Sequence, residues 1–367
     1  MKRRYKILGW LAGTLALAFI ALALVLRHTS PCPPAVNGAE GNGMRAWTYP
    51  CYGGPEVLQL ASVTKPTPAP DEVLVKVSAA AVNPLDWHYL RGEPYVMRMG
   101  AGIGAPTVPR LGVDFSGIVE AVGPDVTKFK PGDAVFGASN GAFGEYVVVS
   151  ESRNIALKPD NMTFEQAAAV PIAAITALQA LRDAGQVKAG TRVLINGASG
   201  GVGTFAVQVA KSMGAHVTAV CSGRNVELVK SLGADRVIDY TQTDFTEGTD
   251  KYDVIVDNVG NHPLSRLRGV MTETGRDVIV GGPSEGKWLG PVKLVLKGQV
   301  YSMFVKQEFL FFLAQVNPAD LALLSGLMRE GKMTPVIDKA YPLSELPEAI
   351  RYVETGRARG NVVVRVD

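Results

Sequence analysis

The chain has 367 residues, 47% of them hydrophobic, enough to fill two cores without metal or disulfide staples. Lys and Arg number 37 against 34 Asp and Glu, so no charge imbalance marks a nucleic-acid surface, and no nucleic-acid partner is expected. The three cysteines, Cys32, Cys51 and Cys221, are odd in number and far apart. They read as isolated thiols, which excludes a disulfide framework and a Cys-x-x-Cys metal clip.

Ile7 to Leu26 carries no charged residue, and at ~1.5 Å per residue a helix of that length crosses the roughly 30 Å hydrocarbon layer. Residues 7–26 are therefore expected to form a transmembrane helix, a single-pass anchor that makes the membrane a partner of the chain. The basic N-terminus, with Lys2, Arg3, Arg4 and Lys6, stays cytoplasmic by the positive-inside rule and sends the remainder outward. A removed secretory signal is the alternative, but the run exceeds the usual h-region and no convincing small-x-small cleavage site precedes Arg27-His28. The next stretch, residues 27–43, reads as a tether, since Ser30 to Gly43 is rich in Pro, Gly, Asn and Ala without apolar periodicity.

From Met44 to about Lys158 the texture is that of strands. Glu72 to Val77, Gly117 to Val122 and Gly144 to Val149 alternate or follow glycine turns, with Gly123-Pro-Asp125 and Lys130-Pro-Gly-Asp133 between them. Thr163-Phe-Glu-Gln166 has capping-box spacing and predicts a long helix to about Leu181. Strands are then expected at Arg192–Ile195, His216–Val220, Tyr252–Asp257 and Asp277–Val280. Helices are expected at Gly201–Met213, Val226–Leu232 and Pro263–Met271. That alternation implies an α/β fold with a doubly wound parallel sheet and right-handed crossovers. The tail from Ala319 predicts two helices and the strand Asn361–Val366.

Gly197-Ala-Ser-Gly200-Gly-Val-Gly203 sits directly between a predicted strand and a predicted helix, the setting a dinucleotide fingerprint requires. Missing Cβ atoms at Gly197, Gly200 and Gly201 let the backbone of the turn, Ser199 and Val202 included, approach a pyrophosphate. The helix dipole favours its charge, and Gly203 lets the helix pack closely. No acid follows at the end of the next strand, where the ribose diol of NAD would be held. Ser222 and Arg224 stand there instead, and a guanidinium can meet a 2′-phosphate with two charge-assisted bonds. The expected cofactor is NADPH; the bland alternative is that Arg224 only solvates the next helix.

Tyr52-Gly-Gly-Pro-Glu-Val-Leu58, Asn83-Pro-Leu-Asp86, Arg110 to Gly123, Phe129 to Phe136, Gly144-Glu-Tyr146, Ala198 to Gly203, Leu232-Gly-Ala-Asp235 and Ala358 to Val364 occur in order. Read together they resemble the zinc-free quinone oxidoreductase and enone reductase branch of the medium-chain dehydrogenase/reductase superfamily, from Met44 to Asp367. The resemblance implies a GroES-like, mostly β catalytic domain over 44–165 and 317–367 and an NADP-binding Rossmann domain over 166–316. Zinc-dependent relatives carry a cysteine at position 83, a Gly-His-Glu at Gly112-Val113-Asp114 and a four-cysteine lobe, and those ligands are missing here. No metal site is expected, and His88 has no partner ligands.

Without a Lewis acid, the expected reaction is hydride transfer to a quinone or α,β-unsaturated carbonyl, with the protein aligning the pair and excluding water. By resemblance Asn83 and Asp86 lie near nicotinamide and substrate, and Tyr89 and Tyr95 are candidate hydroxyl donors. Each has a structural alternative: Asn83 fixes the turn before Pro84, and the tyrosines only pack. Further cofactor contacts carried over by position are Tyr240, Asn258, Val259, Gly260, Gly281, Gly282 and Asn361, the last standing where relatives often have lysine. The resemblance also implies a homodimer. From a different class, the alternative is a membrane-tethered NADPH-binding redox sensor or interaction protein without turnover. The side of the membrane stays open, because NADPH is principally cytoplasmic.

Overall fold

The computed structural model describes residues 17–18, 20–34, 43–282, 286–290 and 292–366. In chain order, the first strands are β1 (Gly43–Thr48), β2 (Gln59–Thr64), β3 (Glu72–Val82), β4 (Asp114–Val122), β5 (Ala134–Ala138), β6 (Tyr146–Ser150) and β7 (Ile155–Leu157). Next come β8 (Arg192–Asn196), β9 (His216–Cys221), β10 (Arg236–Asp239), β11 (Tyr252–Asp257), β12 (Met271–Ile279) and β13 (Glu308–Phe311). The chain closes with β14 (Ile337–Pro342) and β15 (Asn361–Arg365).

β3 is long enough to serve two partners on one edge. Its first half pairs β6, Glu72 to Lys76 against Ser150 to Tyr146, and its second half pairs β15, Ala79 to Val82 against Arg365 to Val362. The tail thereby returns to the first domain, in a sheet ordered β14-β15-β3-β4-β5-β7 with β6 beside β3. Alternation in these strands buries one face, and Trp47, Phe115 and Phe143 meet Leu346 and Ile350 of the Leu346–Glu354 helix in one core. The buried Trp47 indole donates to the Leu343 carbonyl at 2.7 Å, satisfying the one polar atom that ring carries inward.

The second sheet is parallel throughout, in the order β10-β9-β8-β11-β12-β13. β8 and β11 read as nearly continuous apolar runs because helices cover both faces. The Pro171–Gln179 and Gly201–Ser212 helices pack there. So does the Pro318–Arg329 helix, whose Leu321, Leu324 and Met328 join the same core as Val193 and Val256. Strand order reverses between β8 and its neighbours β9 and β11, which opens a crevice at their carboxyl ends.

Three expectations are corrected. The long helix after Thr163 is broken: the capping box forms, with Gln166 N on Thr163 Oγ1 and Thr163 N on Gln166 Oε1, but the helix ends at Ala168. Pro171 cannot donate and restricts Val170, so a second helix starts at Pro171. Cys32 and Cys51 are not isolated thiols but form a disulfide, while Cys221 is free and buried. The 27–43 stretch is not a free tether over its described part, since Ser30 N donates to Gly104 O at 2.8 Å and the disulfide fastens Cys32 to the first domain; residues 35–42 lie outside the described residues.

The expected transmembrane helix over 7–26 lies mostly outside the described residues. Its described part is helical at Leu17, Ala18 and 20–27. Among the described residues no helix is long and apolar enough to cross a membrane.

Candidate active site

The glycine turn follows β8 and its conformation depends on missing side chains. Gly197 adopts φ +77°, and a Cβ on Gly203 would stand 2.1 Å from the Gly197 carbonyl oxygen. Gly200 caps the Gly201–Ser212 helix with extended backbone, leaving first-turn amides directed at the crevice. Val202 is half-buried in that first turn. Asn361, at the head of β15, closes over the turn: its Oδ1 lies 2.8 Å from where a Cβ of Gly201 would be. The Asn361 amide itself donates to Val336 O at 3.2 Å.

β9 ends in Cys221 and the chain turns through Ser222 to Asn225, a buried residue that the sequence reading did not single out. Asn225 Nδ2 donates to Ser199 Oγ at 2.9 Å and Ser222 Oγ at 3.2 Å, tying the two loops, and its Oδ1 is buried with no partner. Arg224 is on the exposed rim, donating to the Arg357 carbonyl at 3.1 Å. Tyr240 is exposed, its N–H donating to Cys221 O at the end of β9. The structure also brings an acid to this rim that spacing along the chain did not reveal: Asp239 Oδ2 lies 2.6 Å from where a Cβ of Gly223 would be. Its Oδ1 accepts from Thr241 N and Oγ1, which hold its pKa below the ordinary range.

The opposite wall is β11. Asp257 Oδ1 accepts from Asn196 Nδ2 at 2.9 Å, Val259 N at 3.1 Å and Gly260 N at 2.9 Å. Asn258 donates to Asn196 O and leaves a buried Oδ1 without a partner. Gly260 has φ +67°, and Gly281 passes so close that a Cβ would meet Asn258 O at 2.2 Å, with Gly282 alongside Gly260. Buried acceptors lacking donors, free helix amides and a backbone stripped of Cβ atoms fit a ligand that carries both phosphate and hydroxyl groups, as a dinucleotide does.

On the other side of the cleft, Asn83 starts the Pro84–Arg91 helix and its N–H donates to Asp86 Oδ2 at 2.7 Å. Asn83 Nδ2 donates to Asp114 Oδ2 at 3.0 Å, and Asp114 also accepts from Ile172 N at 3.1 Å. Burial pushes both carboxyls up, Asp86 to about 7 despite bonds from Asn83 N and Gly112 N, and Asp114 well above its ordinary range. Asp86 is 1% exposed, so it sets the turn from within instead of facing the cleft. His88 stacks on Trp87 and its Nδ1 meets Glu93 O at 2.7 Å.

Tyr89 is partly exposed, and Tyr49, unnoticed in the sequence, is buried with its hydroxyl pushed above its ordinary range by burial and by neighbouring Tyr52, Tyr89 and Asp86. Tyr95 crosses to the nucleotide domain. Its N–H donates to Lys287 O at 2.7 Å, its ring meets Trp288 edge-on at 5.1 Å, and Lys287 pairs with Glu93 at 3.0 Å. Residues 92–108 thus roof the cleft, touching the segment that follows Gly281 and Gly282. Among the described residues no group of three or more His, Cys, Asp or Glu is placed to hold a metal.

Residues 69–160 match the Alcohol dehydrogenase GroES-like domain family and residues 232–364 the Zinc-binding dehydrogenase family. The mitochondrial NAD(P)H oxidoreductase RTN4IP1 of Mus musculus is 37% identical over 93% of this chain and 94% of its own length. The chain belongs to the medium-chain dehydrogenase/reductase superfamily, in its quinone oxidoreductase branch. Other members of this superfamily that it resembles are the 2-methylene-furan-3-one reductase of Solanum lycopersicum, 36% identical over 88% of this chain and 79% of that one, and the quinone oxidoreductase of Coxiella burnetii. The latter structure is 33% identical, covers 89% of this chain and 100% of its own, and superimposes with a TM-score of 0.76. As a member of the quinone oxidoreductase branch, the chain is an oxidoreductase that uses a nicotinamide cofactor.

Proposed function

We propose that this enzyme uses NADPH to reduce a quinone or an α,β-unsaturated carbonyl without metal assistance. One observation carries the reading: at the positions where zinc-dependent members hold their ligands, Asn83 and Asp114 are hydrogen-bonded to each other, and Asp114 is further bound by Ile172 N. An amide offers zinc no soft donor, and a buried carboxyl with a raised pKa keeps its proton.

When bound, the nicotinamide supplies a hydride; the acceptor also takes up one proton, giving a hydroquinone or a saturated carbonyl. The chain binds and aligns. Gly197, Ser199, Gly200, Gly201, Val202 and Gly203 receive the pyrophosphate, with Asn361 behind them. Ser222, Asn225 and Arg224 take the adenosine ribose and its 2′-phosphate, with Tyr240 at the rim. Asn258, Val259, Gly260, Gly281 and Gly282 line the nicotinamide half. Asn83, positioned by Asp86 and Asp114, fixes the floor, and the roof over residues 92–108 excludes water. Tyr89 and Tyr95 are the hydroxyls offered to the developing oxyanion.

A second reading concerns the nucleotide: Asp239 beside Gly223 puts a carboxylate where a ribose diol could be held, which favours NADH. Initial rates of NADPH and NADH oxidation with a panel of quinones and enones test both readings. Saturable consumption with NADPH preferred supports the first and with NADH preferred the second; no consumption of either, beside nucleotide binding seen by titration, supports the sensor.

The uncharged run over 7–26, whose described part leaves Leu17 and Leu24 exposed, supports a membrane anchor. The open edge at β13, flanked by exposed Met303, Phe304 and Leu313, supports a homodimer.

A further inference from the structure

Arg98 is 2% exposed, and its guanidinium is spent on carbonyl oxygens and a hydroxyl, with no salt bridge among the described residues. Nε donates to Gly92 O at 2.8 Å and Nη2 to Arg91 O at 3.2 Å. Nη1 donates to Leu26 O at 3.1 Å, His28 O at 2.9 Å and Thr29 Oγ1 at 3.1 Å. The guanidinium also lies over the rings of Tyr52 and Tyr95, at 4.5 and 4.6 Å. One cation therefore satisfies the last carbonyls of the N-terminal helix and fixes the cleft roof at the same time. Two more ties reinforce it, the Thr29–Gly104 bridge and the Cys32–Cys51 disulfide.

The helix held by this clasp has little else to pack on. Leu17 is 68% exposed and Leu24 64%, with Ile20, Leu22 and Val25 exposed as well, and Leu26 alone among these is buried. An all-round apolar helix is not at rest in water. On the roof itself, Met99 and Ile103 are 65% and 56% exposed, and Val108 is exposed too. The clasp engages Leu26 to Thr29, immediately after the uncharged run from Ile7, so the roof is tied directly to the end of that run with no swivel between.

We propose that these apolar helix sides and the roof residues Met99, Ile103 and Val108 seat on a lipid bilayer, so that the cleft mouth is held at the membrane and takes an acceptor dissolved there: a quinone or enone with a long hydrocarbon tail. A bilayer with anionic headgroups accounts for both parts of the N-terminus, the apolar run and the Lys2, Arg3, Arg4, Lys6 cluster before it; an apolar protein groove would account only for the first. The proposal rests on the reductase reading for its substrate and on the clasp for its geometry.

The test uses the full chain reconstituted in phosphatidylcholine–phosphatidylglycerol vesicles. Ile103→Cys carrying an environment-sensitive fluorophore shifts its emission to the blue and is quenched by lipid-borne spin labels; emission as in water, unquenched, overturns the docking. In the same vesicles, Leu17→Asp combined with Leu24→Asp, both on the exposed sides of the N-terminal helix and outside the cleft, slows reduction of a polyisoprenoid benzoquinone by at least roughly tenfold and leaves a short, water-soluble benzoquinone within about twofold. Equal losses, or none, overturn the lipid-side entrance. Failure of NADPH oxidation with both quinones would defeat the reductase reading instead, and the fluorescence would still decide the docking.

Discussion

The side-chain amide of Asn83 donates to the carboxylate of Asp114 at 3.0 Å, and both residues are buried. This bond joins the end of β3 to the start of β4 and, through Ile172 N, to the helix that opens the nucleotide domain. Asn83→Ala removes the donor and leaves the carboxyl short of a partner, so about 1–3 kcal/mol of stability is lost, read by urea titration. Asn83→Asp sets two buried carboxyls side by side, each raising the other's pKa, and costs more as pH rises, because the unfolded chain releases protons that the folded one must hold.

Gly203→Ala places a methyl carbon 2.1 Å from the Gly197 carbonyl. The helix must move off the turn, at about 1–3 kcal/mol. Because the displaced atoms are those proposed to receive the pyrophosphate, the thermal stabilisation that the wild type gains from saturating NADPH is expected to be lost in the variant, a comparison made by melting each protein with and without nucleotide.

On the proposed reading, Arg224 favours NADPH and Asp239 favours NADH. Arg224→Ala raises the KM for NADPH by about tenfold or more and leaves that for NADH nearly unchanged. Asp239→Asn moves preference toward NADPH. Equal effects of Arg224→Ala on both nucleotides would return that arginine to its contact with Arg357 alone.

Stability should depend on pH through Asp86. Its folded pKa is raised to about 7 by burial, so the native state keeps a proton that the unfolded chain releases from the ordinary carboxylate range upward. Its contribution is complete below that range and is lost as pH rises through about 7. Asp114 and Asp277, raised in the same direction by burial, add the same sign. Asp86→Asn cannot titrate, so between about pH 4 and about pH 8 its stability improves relative to wild type by on the order of 3 kcal/mol. Paired denaturation curves across that range check it.

The parallel sheet was legible where apolar runs are strong, as in β8, β9 and β11, and the glycine turn was legible because a missing Cβ is written in the sequence itself. β10 and β13 were not read: Arg236-Val-Ile-Asp239 and Glu308-Phe-Leu-Phe311 are only four residues each, and they are strands because the sheet edge accepts them. The Cys32–Cys51 pair was hidden because pairing is a matter of distance in space, and nothing in nineteen residues of separation distinguishes it. Asn225 and Asp239 were overlooked for a related reason, since Asn225 meets the glycine turn only after β8 and β9 lie side by side, and Asp239 meets the rim only after β10 joins β9. Asn83 and Asp86 were named from the sequence, but their burial is visible only in the packed structure.

The central claim is nucleotide-driven reduction in a pocket without metal. It is tested most directly by following NADPH absorbance with a benzoquinone acceptor, using full-length protein dialysed against a chelator and assayed for metal. Saturable oxidation by protein free of zinc, unchanged when zinc is restored, is the result predicted here. Absence of nucleotide binding, or activity that returns only with stoichiometric zinc, would contradict it.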